Sequence, residues 1–233
     1  LRLEKYLRIR AQAGGLLVQP ADVSDPAQTR MLVDLAQSRY GTLDGVIHSA
    51  GVASGGLLHQ RTREESLAIL AAKVQGTLAL ESALRGVPID FLLLCSSLTA
   101  MLGGLGQADY AAANAFLDGL ARARQQQGLP TLSINWGAWA DVGMAARTVQ
   151  GAVAARHLIA PQLGMAALAH LLHQGKLGQI AVTPMDWTQA AATDRVPPFY
   201  ANLIPQTTAA TAKPALQTEL AALPVSRRGE HLR

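Results

Sequence analysis

Five short runs of strand-like composition, Leu16–Val18, Gly45–His48, Ile89–Cys95, Thr131–Trp136 and Gln179–Thr183, alternate with segments long enough to hold a helix. The helix signals between them are specific. Pro26 suits the first turn of a helix that runs to about Arg39 and stops before Gly41. Thr62 and Glu65 match a capping box, in which each satisfies the other's orphan backbone amide, and the helix they open runs to about Arg85, before Gly86. Ala108–Gln127 reads as a long helix ended by Gly128, and Gln162–Gln174 as a further one. Leu1–Ala13 has helical spacing and stops at Gly14-Gly15. Neighbouring parallel strands need crossovers of about a dozen residues or more, usually helical. The alternation therefore predicts an α/β fold: a parallel sheet covered by helices on both faces.

A chain of 233 residues, 49% of them hydrophobic, can bury a real core. Charged residues make up only 15%, yet no apolar stretch approaches the roughly 18–20 residues of a membrane span. Leu1–Arg10 is amphipathic and basic, without the apolar segment of a signal peptide. The single cysteine, Cys95, excludes an internal disulfide framework and fits a reducing, cytoplasmic location. The net charge of +4 sits at the ends: residues 1–10 carry four basic groups against one acid, and residues 226–233 three against one. A near-neutral body offers no phosphate-tracking face, so nucleic acid is not expected as a partner. From Pro205 the composition turns to "PQTTAATAKPA", too poor in large apolar groups to pack, which makes 201–215 a linker after a domain spanning 1–200.

The chemistry concentrates in "CSSLTAMLGGLGQADYAAANAFLDGLA", residues 95–121. Ser97 closes a strand, on the edge where open α/β sheets bind ligands. Tyr110 and Asn114 lie four apart on the next helix and share a face. Lys73 sits mid-helix among Leu67, Leu70, Val74 and Leu78, a costly place for a cation without a partner. A phenol titrates near ~10 and needs a nearby positive charge to exchange protons at neutral pH. Lys, Tyr, Ser and an amide are the parts required to protonate a carbonyl oxygen as hydride reaches its carbon. Each residue also has a plainer role: Tyr110 packed with its hydroxyl at the rim, Ser97 forming a turn, Lys73 reaching solvent. His170 and His173 are three apart on a helix, but no third ligand follows with suitable spacing, so no metal site is expected. Cys95 at a strand end reads as core, and without Gly-x-Ser-x-Gly, Ser97 is a poor hydrolase nucleophile.

Four segments, "HSAGV", "AAKVQGTLALESAL", "LLLCSSLTAMLGGLGQADYAAANAFLDGLARAR" and "LSINWGAWADVGMA", follow one another in order. Together they resemble the ketoreductase domains of modular type I polyketide synthases, a branch of the short-chain dehydrogenase/reductases, over roughly residues 10–200. The resemblance implies a Rossmann-like doubly wound parallel sheet and NADPH-dependent reduction of a β-keto group on an acyl chain carried by an acyl carrier protein. It makes Tyr110 the general acid and Ser97 a hydrogen-bond donor to the substrate carbonyl. Lys73 would lower the Tyr110 pKa and reach the ribose, and Asn114 would order the relay. Where most short-chain reductases have Tyr-x-x-x-Lys, this branch has Asn in that helix and takes its Lys from the preceding one. On the cofactor side Asp22 would contact the adenine amino group and Val23 its face. Ser49-Ala50-Gly51 would let backbone approach the cofactor, and Gly137 and Ala138 would line the nicotinamide pocket.

The phosphate cradle of such a fold is a Gly-rich turn between its first strand and first helix. No strand–turn–helix of that kind precedes Leu16, and "ASGGLL" at 53–58 follows the wrong strand. The chain is thus expected to be a portion of a larger polypeptide that lacks the first β-α-β unit. In the family's strand order, 3-2-1-4-5-6-7, Leu16–Val18 then has no neighbour to pair with. "LQTELAALPVSRRGEHLR", 216–233, resembles the first helix of an acyl-carrier domain. Two other readings stay open: a catalytically silent structural domain of the same fold, and an NADPH-sensing module. An intact Ser97, Tyr110 and Lys73 argues against both. The two stereochemical fingerprints of the family, Leu-Asp-Asp after "AGV" and a Trp eight residues before the Tyr, are replaced by Ala53-Ser54-Gly55 and Leu102. The missing Trp leans to the first class.

Overall fold

In the computed structural model the described residues are 2–52, 55–143, 158–185 and 202–203. The chain divides into two units, Leu1–Pro184 and Met185–Arg233, and the fold below belongs to the first. The linker expected at 201–215 and the carrier-like helix at 216–233 lie outside the described residues, apart from a single turn at 202–203.

Helix α1 spans Arg2–Gln12. Helix α2, Pro26–Tyr40, starts on the Asp25 carboxylate, which accepts from the amides of Ala27 at 2.8 Å and Gln28 at 3.2 Å. It ends at Gly41, whose φ of 86° a β-carbon would oppose. The capping box forms as expected before α3, Arg63–Leu70: the Thr62 amide donates to Glu65 at 2.9 Å and the Glu65 amide to Thr62 Oγ1 at 3.2 Å. The long helix expected over 62–85 is not uniform, because a π turn at Ala71–Gln75 separates α3 from α4, Gly76–Ala83. Such insertions recur where a helix must re-aim a side chain, and this one carries Lys73.

Strands β1 (Gly45–His48), β2 (Phe91–Ser97), β3 (Thr131–Trp136) and β4 (Gly178–Val182) form one sheet in that order, every pair parallel. Helices α5 (Thr99–Leu102), α6 (Ala108–Gln126) and α7 (Pro161–His173) follow, and a short 3-10 turn spans Leu58–Gln60. Alternation along β2 builds two cores. Leu92 and Leu94 pack with Val33, Leu80, Leu84 and Leu117, on the side of α2, α4 and α6. Leu93 packs with Leu132, Ile134, Trp136 and Ile159, joined by Leu168, Leu171 and Leu172 of α7. No described helix is long and apolar enough to cross a membrane.

The strand expected at Leu16–Val18 does not form; Leu17 and Val18 are exposed and the described sheet has four strands rather than five. A strand is a set of hydrogen bonds to a neighbour, and this segment pairs with none of the four described strands. The observed order corresponds to strands 4-5-6-7 of the expected topology.

Candidate active site

Because the four strands are parallel, the segments that leave them share one edge of the sheet. Ser49-Ala50-Gly51 leaves β1, Ser97 ends β2, and Gly137-Ala138 leaves β3. Gly137 donates to the Val182 carbonyl at 2.8 Å, and a β-carbon there would sit 3.4 Å from Ile159, Thr183 and Val182. Gly106, with φ 70°, lets the loop before α6 meet the loop after β1: a β-carbon at Gly106 would lie 3.1 Å from the Gly56 backbone. Helix α6 is anchored at its start by Asp109, which takes the Tyr110 amide at 2.9 Å and pairs with Arg61 at 3.1 Å.

Tyr110 is half-buried, with Ser97 and Asn114 near enough to its phenol to act against a rise in its pKa. The Ser97 hydroxyl is itself oriented by Thr99, accepting from the Thr99 amide and donating to Thr99 Oγ1, both at 3.2 Å. Asn114 is fully buried; its Nδ2 donates to the Tyr110 carbonyl at 2.7 Å, which fixes the amide's orientation, and its Oδ1 has no hydrogen-bond partner. Lys73 is buried and its ammonium donates to the Cys95 carbonyl at 2.8 Å. Burial lowers the Lys73 pKa to about 8, partly opposed by Cys95 and Asp118. Burial also raises the Tyr110 pKa, and the largest opposing influences are the hydrogen bonds of Ser97 and Asn114. The Lys73 ammonium is engaged at the Cys95 carbonyl in this structure.

Val23 packs against α4, where a β-carbon on Gly76 would lie 3.0 Å from Val23 Cγ1. Asp22 is exposed, and its carboxylate accepts from the Ser24 amide at 2.9 Å and hydroxyl at 2.7 Å, contacts that lower its pKa. The fold thus brings Ser97 and Asn114 near the Tyr110 phenol and sets Lys73 on the β2 backbone at Cys95. Of the stereochemical positions, Ala53 and Ser54 lie outside the described residues, and Leu102 ends α5.

The family model of the KR domain matches residues 5–141. The chain belongs to the KR domain family. It is 37% identical over 148 residues to polyketide synthase PksN of Bacillus subtilis, a stretch covering 60% of this chain and 3% of that protein. Among solved structures, an N-terminal ketoreductase from the macrolactin assembly line superposes with a TM-score of 0.68 at 33% identity, over 78% of this chain and 36% of that one. The ketoreductase from the first module of phoslactomycin biosynthesis in Streptomyces sp. HK803 gives a TM-score of 0.74 at 28% identity, over 88% and 48%. The chain spans only a small part of the curated relatives it matches.

Around the candidate site of this KR domain lie further buried polar residues beyond those expected from sequence. His48, at the end of β1, is 4% exposed, with Nε2 unpartnered; burial and the neighbouring Lys73 push its pKa down to about 4. Below Ser97 lies a buried polar cluster: Asp118 on α6, Ser133 and Asn135 on β3, and Ser96 on β2. Asp118 could have been found, since it follows Tyr110 and Asn114 at the same four-residue spacing. Nothing local marks Asn135, because the inward-facing polar positions of a fully buried strand look like any others.

Proposed function

We propose that this KR domain reduces the β-keto group of an acyl thioester, carried on the phosphopantetheine arm of an acyl carrier protein, to a β-hydroxyl with NADPH. The observation that supports the reading is the placement of Ser97 near the Tyr110 phenol at the carboxyl edge of a parallel sheet, where one carbonyl oxygen would meet both hydroxyls. The residues present fit a dinucleotide. The Lys73 ammonium has three donors and spends one on Cys95, and Asn114 Oδ1 is a buried acceptor without a partner. Hydroxyl-rich groups such as a ribose suit such spare capacity. Asp22 and Val23 would hold the adenine, Ser49, Ala50 and Gly51 would let backbone approach, Lys73 and Tyr110 would hold the ribose, and Gly137 and Ala138 the nicotinamide.

Bound NADPH supplies the hydride, to the β-carbon. Ser97 donates to the substrate oxygen and orients the carbonyl. Tyr110 transfers its phenolic proton to that oxygen as negative charge develops, so the product leaves as a neutral hydroxyl. Hydrogen bonds aimed in advance at the developing alkoxide are worth more in a partly dry site than in water. Asn114 stands beside the transient phenolate, and Lys73 serves as the proton reserve. Tyr110→Phe keeps the ring and removes the proton donor; in the intact polypeptide, NADPH oxidation with a simple β-keto thioester should fall by about 10²–10⁴. Equal rates for parent and variant would remove Tyr110 from the mechanism. A parent inactive with every β-keto thioester would refute the reductase reading.

A further inference from the structure

We propose that Asp118 is a positioning residue of this site: its buried carboxylate clamps Asn135, whose amide holds the Ser97 carbonyl, and its charge acts on Lys73. The role in turnover rests on the reductase reading above; the geometry does not. Asp118 is 7% exposed on α6, beside the buried Leu117 and Ala121, where a carboxylate is costly unless hydrogen-bonded. Its Oδ1 accepts from the Ser133 hydroxyl at 2.6 Å and its Oδ2 from Asn135 Nδ2 at 2.8 Å. The same Nδ2 lies 3.1 Å from the Ser97 carbonyl and 3.0 Å from Ser96 Oγ. Gln179 Nε2 donates to Asn135 Oδ1 at 3.0 Å and so fixes which way the amide faces. Ser96 Oγ in turn donates to the Asn114 carbonyl at 3.2 Å. One carboxylate therefore ties the strand end that presents Ser97 to the helix turn that presents Tyr110 and Asn114.

The charge has a second consequence. Lys73 is opposed by burial and supported by Cys95 on β2 and Asp118 on α6, while His48 on β1 feels Lys73 in return. Removing the Asp118 charge leaves Lys73 with less reason to hold its proton.

The test uses the intact polypeptide and two variants. Asp118→Asn keeps the shape, and the Ser133 hydroxyl can reverse to accept from the new amide, so the hydrogen bonds survive and only the charge goes. We expect its melting temperature and KM to stay near the parent's and its kcat to fall about tenfold, because Lys73 then holds its proton less firmly and serves the proton transfer less well. The Lys73 titration midpoint, read by NMR of ¹⁵N-labelled lysine and assigned with Lys73→Met, should move to lower pH. Ser133→Ala removes one hydrogen bond and keeps the charge; it should lower kcat about threefold and leave the Lys73 midpoint in place. A parent-like kcat and midpoint in Asp118→Asn would overturn the proposal. Should Asp118→Asn fail to fold, Ser133→Ala decides, and an unchanged kcat overturns the clamp. Should the parent reduce no thioester, the reductase reading falls while the Lys73 midpoint still decides for or against Asp118.

Discussion

Lys73 is expected to lower the stability of the fold it serves, and the size of that burden follows from its surroundings. Burial moves its pKa from the ordinary 10.5 to about 8, which at 1.36 kcal/mol per unit corresponds to about 3 kcal/mol of cost to the charged folded state. Lys73→Met keeps an unbranched stem of similar length in the same space, so packing should survive. The variant loses the contact with the Cys95 carbonyl, worth about 1 kcal/mol. The net expectation at pH 7 is a gain of about 2 kcal/mol in unfolding free energy. The pH dependence has a definite sign. Between about pH 8 and 10.5 the unfolded chain holds the Lys73 proton and the folded chain does not, so the parent gains stability as pH rises through that window. The advantage of the variant should therefore shrink to nearly nothing at pH 10. Urea unfolding followed by tryptophan fluorescence reads this, because Trp136 and Trp139, tilted rings with centroids 4.9 Å apart, pack in the core of the same sheet. A variant less stable than the parent at pH 7, or an advantage equal at pH 7 and pH 10, would refute the reasoning. Turnover should be lost in the same variant, since Lys73 is assigned to both the cofactor and the relay.

Three further outcomes are expected. His48 has its pKa lowered from 6.5 to about 4, so it contributes stability at neutral pH that is lost as pH falls through that window; by pH 4 the loss reaches about 3 kcal/mol, and His48→Gln should flatten that part of the stability–pH curve. Glu81 pairs with the buried Arg124 at 2.5 Å, while Thr131 accepts from Arg124 at 2.8 Å; Glu81→Ala strands a guanidinium and should cost about 1–3 kcal/mol in urea unfolding, whereas a cost near zero would mean that Thr131 alone suffices. A β-carbon on Gly164 would come within 2.3 Å of the Trp139 ring; Gly164→Ala should cost about 1–3 kcal/mol and change the near-ultraviolet circular dichroism of the Trp pair, and an unaltered spectrum would show that α7 can shift without consequence.

Local chemistry decided the elements themselves. The Thr62–Glu65 box, Asp25 before Pro26, and Gly41 and Gly128 after their helices act within a few residues, so they are legible in the sequence and recur in the structure. The order of strands and helices likewise implied a parallel sheet with Ser97 at its carboxyl edge, and four-residue spacing put Tyr110 and Asn114 on one face. What the sequence left open depends on neighbours distant along the chain. Leu16–Val18 has strand composition, yet a strand exists only where another backbone accepts its hydrogen bonds. The π turn at Ala71–Gln75 lies within good helical sequence, and it is seen only where α3 and α4 meet the sheet and Lys73 meets Cys95. Burial decided the pKa values of Lys73, His48 and Tyr110, because the cost of charge depends on what surrounds it rather than on the residue type. Asp118, Ser133, Asn135 and Ser96 come from three elements, and only the packing of α6 across β2 and β3 brings their hydrogen bonds within reach.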